Sequence, residues 1–188
     1  MKRAKHSCVM FCVAALAVAA ALCFGAPARA QALLDEVRLG VMAHSIEPDH
    51  SEGGVDVNLE LLFRRAPISY GNAFADFFLR PRLHVGASLN TIGDTSQVYA
   101  GLTWDLKLTG RLSLEASFGG SWHDGPLNGS NEDLYGCRVN FRESLSFGYA
   151  LDDAWTVYAT VAHMSNANLC SNNSGITSAG VRIGYKFK

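Results

Sequence analysis

From Leu33 to Lys188 apolar and polar side chains alternate with a period of two, the signature of half-buried β-strands, and no stretch holds the 3.6-residue period of a helix. Near residues 33–46, Val37, Leu39 and Val41 share one face against Arg38, Gly40 and His44; near 54–64, Val57, Leu59 and Leu61 oppose Asp56, Asn58 and Glu60. The pattern recurs near 75–90, with Phe77, Leu79, Leu83 and Val85 opposite Arg80, Arg82 and His84, and again near 97–108 and 111–122. Near 138–151 the apolar face of Val139, Phe141, Leu145 and Phe147 is interrupted by Glu143, and two further strands run from Trp155 and over 178–188. Eight strands are expected.

Alternation alone does not separate a soluble barrel, apolar inside, from a membrane barrel, apolar outside. Three features favour the membrane. The strands are about ten residues or longer, Trp104, Trp122, Trp155, Tyr185 and Phe187 stand near strand ends, and short turns (Thr109-Gly110, Asp152-Asp153) alternate with long connections (123–137, 166–177). The expected fold is therefore all-β, an eight-stranded antiparallel transmembrane β-barrel of the bacterial outer-membrane type, covering residues 31–188. Eight strands leave room inside only for side chains, so Arg38, Glu60, Arg80, Arg82, Asp105, Glu115, Arg142 and Arg182 should pair in the lumen without forming a pore.

The N-terminus reads separately. A basic start (Met1 to Lys5), an apolar run from Val9 to Phe24 and Ala28-Arg29-Ala30 make residues 1–30 a signal peptide with a mature start at Gln31. A net charge of −1 argues against a nucleic-acid partner. Of five cysteines three lie in the signal peptide, and the remaining Cys137 and Cys170 of an exported chain are expected to form one disulfide. No metal or cofactor is implied, because His44, Glu47, Asp49 and His50 read as a flexible acidic loop.

The chemistry-bearing stretch is His163-Met164-Ser165-Asn166-Ala167. Residues i and i+2 of a strand share a face, so His163 and Ser165 continue the apolar face of Trp155, Val157, Ala159 and Val161. With a periplasmic N-terminus, odd-numbered strands run outward and this pair reaches the outer-leaflet end.

This stretch resembles the signature of the lipid A 3-O-deacylase family, eight-stranded outer-membrane barrels with His-x-Ser-Asn-Ala late in the chain, and Tyr185-Lys186-Phe187 resembles the aromatic ending of such barrels. The resemblance implies a serine esterase whose substrate is lipid A of lipopolysaccharide. Ser165 would be the nucleophile, His163 the base, and Asn166 and Asn173, with nearby backbone amides, the oxyanion candidates. The family places a glutamate after a Gly-hydrophobic pair, whereas here Gly175-Ile176 precedes Thr177, which cannot balance an imidazolium as a carboxylate does. Register offers a candidate: with Leu151 facing Trp155, Glu143 faces His163, and Cys137 comes beside Leu169, next to Cys170, whereas a two-residue slip would put Phe141 opposite His163. The alternative is a non-enzymatic outer-membrane barrel with a structural or adhesive role, and in either case a homodimer stays open.

Overall fold

The computed structural model describes residues 33–130 and 133–187; the expected signal peptide lies outside them. Eight antiparallel strands close into a barrel in which each pairs with its sequence neighbours and β8 returns to β1. They are β1 (Leu34–Ala43), β2 (Val55–Phe63), β3 (Arg82–Asn90), β4 (Gln97–Lys107), β5 (Leu112–His123), β6 (Val139–Ala150), β7 (Trp155–Ser165) and β8 (Ile176–Lys186). The start of β1, the end of β8 and the tight β4–β5 and β6–β7 turns share one end, the inner one in the expected orientation. At the other, outer end, residues 44–54, 91–96, 124–138 and 166–175 connect the strands.

The polarity of the wall is inverted relative to a water-soluble barrel. Along β7, Val157 and Val161 are exposed while Tyr158, Thr160 and Ala162 are buried, and the same alternation leaves Leu39, Val85, Phe147 and Val181 outside. Only a lipid phase solvates such an exterior without cost. Several of the buried charged side chains pair. The Arg38 guanidinium lies 2.9 Å from Glu36 and 2.7 Å from Glu115; Arg82 reaches Glu36 at 2.9 Å and Glu115 at 3.0 Å; Arg182 meets Glu60 at 3.0 Å. Arg142 caps the Tyr99 ring at 3.7 Å.

The third strand departs from its expected extent. Residues Ala73–Leu79 form a short helix, α1, and β3 begins only at Arg82. Asn72 caps this helix by accepting hydrogen bonds from the amides of Phe74 and Ala75 at 2.9 and 3.2 Å, and Pro81 bars both its continuation and an extension of the ladder. Arg80 consequently stays outside the lumen, 3.8 Å from Asp76, and Glu36, absent from the expected set, joins the lumenal network. Phe74, Phe78 and Leu79 are exposed beside the barrel, and the Trp104 indole N–H donates to the Phe78 carbonyl at 3.1 Å.

Candidate active site

The outer ends of β6, β7 and β8 bring the singled-out residues into one row. His163 pairs with Glu143 on β6 and with Thr177 on β8, and Ser165 pairs with Phe141. His163 and Ser165 keep the outward parity of Val161, whereas Met164 and Ile176 between them are buried against Tyr135 beneath the rim. The imidazole is partly covered, with 37% of its side chain exposed. Gly175 allows this placement twice over. Its φ of +73° is a left-handed value that favours glycine, and a Cβ there would stand 3.1 Å from the imidazole Cε1.

Of the two strand neighbours of His163, it is Thr177 that engages the ring: Nδ1 lies 2.8 Å from its Oγ1. Glu143 shares the row as the strand parity requires, yet the nitrogen that an orienting acid would hold is turned to β8. A second carboxylate approaches from a part of the chain that strand alternation does not describe. Glu47, in the loop after β1, has its Oε1 4.0 Å from Nδ1. Pro48 restricts Glu47 to extended backbone, and the Ile46 amide donates to the Thr177 carbonyl at 2.8 Å, so the loop runs alongside the start of β8. Burial pushes the Glu47 carboxyl upward, but hydrogen bonds from the Thr177 hydroxyl and from the Glu47 and Thr177 amides, together with the charge of His50, hold it below the usual carboxylate range.

The 2.8 Å contact between Nδ1 and Thr177 Oγ1 fits the tautomer with its proton on Nδ1, which leaves Nε2 free to accept one.

The loop carrying Glu47 is tied down rather than flexible. The His44 ring bridges Asp56 at 2.9 Å and Glu52 at 3.1 Å, and Asp133 accepts from the Ser51 amide and hydroxyl at 2.8 and 2.6 Å. Burial pulls His44 down, but the bonds to Asp56 and Glu52 outweigh it and raise His44 to about 9, so it is a cation at neutral pH. A disulfide between Cys137 and Cys170, with Cα atoms 5.9 Å apart, joins the two loops flanking the rim.

The two asparagines brace these loops. The Asn166 side-chain amide donates to the Tyr135 and Asn172 carbonyls at 2.8 and 2.5 Å, and its backbone N–H donates to Asn173 Oδ1 at 2.7 Å. Asn173 Nδ2 in turn donates to Asn168 at 3.2 Å. Ala167 and Asn168, the next two residues after the signature serine and Asn166, hold left-handed φ values of 53° and 61°. Below the site, toward the membrane middle, Phe118 and Phe141 stack at 5.9 Å and continue into exposed Leu145 and Val161.

Comparison with known proteins bears on this row. A family model described as lipid A 3-O-deacylase (PagL) matches residues 70–186, a span that takes in Glu143, His163, Ser165 and Thr177 and excludes the loop of Glu47. Among solved structures, the outer membrane enzyme PagL superposes with a TM-score of 0.59 at 17% identity, covering 80% of this chain and 98% of its own. Neisserial surface protein A superposes at 0.58 with 10% identity, covering 81% and 96%. At these identities the two structures establish the fold. No curated protein sequence matches.

Proposed function

The chain belongs to the lipid A 3-O-deacylase family and resides in the bacterial outer membrane, and on that premise we propose that it hydrolyses the ester of the 3-hydroxyacyl chain at the 3-position of lipid A, using Ser165 and His163. The observation that supports this reading is the outward parity of both side chains at the end of β7, with the imidazole Nδ1 2.8 Å from the Thr177 hydroxyl. Lipid A in the outer leaflet presents its sugars at loop height and its acyl chains along the wall. The Phe118–Phe141 pair, Leu145 and Val161 offer those chains an apolar track leading to Ser165.

In the reaction, the Ser165 oxygen attacks the ester carbonyl carbon as His163 Nε2 takes the hydroxyl proton. The tetrahedral adduct collapses with cleavage of the bond to the sugar oxygen, and the imidazolium returns its proton to that oxygen. Water, deprotonated by the same base, then releases the 3-hydroxy fatty acid from Ser165. The oxyanion needs donors. The Asn166 amides are committed to loop bonds, so the backbone N–H groups of the left-handed turn at Ala167 and Asn168 take that role, with Asn173 fixing the turn through Asn166. No cofactor is required by these steps.

Purified barrel in detergent micelles with lipid A is expected to release free 3-hydroxy fatty acid, while folded Ser165→Ala and His163→Ala proteins release none. Wild-type barrel that leaves lipid A intact would point instead to a structural or adhesive barrel.

A further inference from the structure

We propose that Glu47 is the positioning residue for His163, acting through the Thr177 hydroxyl as an interposed link. The inference rests on the Ser165–His163 reading above and adds what that reading lacks, an anion behind the imidazole. When His163 takes the serine proton it becomes a cation, and a neutral threonine oriented on Nδ1 can fix the ring's direction but cannot offset the charge. The Glu47 carboxylate stands 4.0 Å from that same nitrogen and beside Thr177, and the inferred relay runs from Nδ1–H to Thr177 Oγ1 and from the Thr177 hydroxyl to Glu47.

Three features make this a built arrangement. The Ile46 amide bonds the Thr177 carbonyl, so the residue before Glu47 is fixed to the residue that relays it. Behind the carboxylate stands His50, itself 3.4 Å from Asp133, and Asp133 also anchors the loop through Ser51. Gly175 leaves the space in which the imidazole turns toward β8. Glu143 is the competing acid. It faces His163 from β6, but a neutral ring carries one N–H, and that N–H is spent on Thr177. The carboxylate has thus moved from the strand to the first outer loop, and a hydroxyl fills the distance.

The test measures kcat/KM for lipid A deacylation in micelles by Glu47→Gln, Glu47→Gln/Thr177→Glu, Glu143→Gln and Ser165→Ala proteins, each checked for folding by circular dichroism and thermal melting. Glu47→Gln is expected to lose about 10²-fold, within the range that positioned proton transfer contributes. Adding Thr177→Glu to it, which returns a carboxylate to β8, is expected to recover most of that loss, a gain that repair of loop structure does not explain. The groups facing His163 are Glu143 from β6, Thr177 from β8 and Glu47 from the loop, with His50 and Asp133 behind Glu47. Removing the Glu47 charge therefore moves the acidic limb of the pH profile to lower pH. Glu47→Gln at the wild-type rate beside an inactive Ser165→Ala overturns this assignment and leaves the esterase reading standing; an active Ser165→Ala overturns both. No gain from the relocated carboxylate, an unshifted acidic limb, or a loss confined to Glu143→Gln also refutes the role of Glu47.

Discussion

The lumen and the outer rim of this barrel both organise charged side chains around a cation, and they do it differently. In the lumen, Arg38 is almost fully buried and meets Glu36, Glu60 and Glu115 at 2.9, 3.4 and 2.7 Å, all supplied by strands facing inward. At the rim, the imidazole, the cation of the proposed reaction, is partly exposed, bonded to one strand residue and approached by a carboxylate from a loop. The first network is enclosed by inward-facing strand residues and ties several strands together. The second is open on the lipid side, where an ester can enter.

That contrast predicts a separation of effects. Arg38→Met removes one of the two guanidinium partners of each of Glu36, Glu60 and Glu115 and is expected to lower unfolding free energy by about 3 kcal/mol, with deacylation per folded molecule unchanged; denaturant melts in detergent alongside the activity assay check both. The Cys137→Ser/Cys170→Ser pair opens a link spanning 33 residues, expected to cost about 4 kcal/mol by loop entropy. Because the link joins the two loops flanking Ser165, this variant should lower activity as well as stability, unlike Arg38→Met.

Smaller effects belong to the rim alone. Gly175→Ala forces a side chain into a φ of +73° at about 1–2 kcal/mol and crowds the imidazole, so kcat should drop about 10-fold with a modest melting shift. The smallest concerns pH. His44 is raised to about 9, so its contribution to loop order is complete below its ordinary value of about 6.5 and disappears as pH rises through about 9. Hydrogen exchange in residues 44–54 should quicken over that interval while the β-ladder amides stay protected.

The same contrast decides what could be read from the amino acids alone. Parity along β6 and β7 is enough to put Glu143 opposite His163 and to turn Val157 and Val161 outward, because a strand has only two faces and the short Leu151–Trp155 turn fixes register. Loops have no such period. Glu47 therefore reads only as part of an acidic loop, and the one signal toward it is the Thr177 that stands where the family resemblance places a glutamate. Helix α1 escaped for a different reason: seven residues give two turns, too few for a 3.6 period to stand out, and the signals present were Asn72 as cap and Pro81 as stop. With the helix in place of strand, Arg80 pairs with Asp76 outside the lumen, and Glu36 joins the lumenal network.

The most direct test of an outward-facing esterase at the rim is the lipid A mass spectrum of intact cells producing this barrel or its Ser165→Ala form at equal outer-membrane levels. Wild-type cells are expected to show lipid A lighter by one ester-linked 3-hydroxyacyl chain, and Ser165→Ala cells lipid A at full mass. Identical spectra from the two would contradict the account.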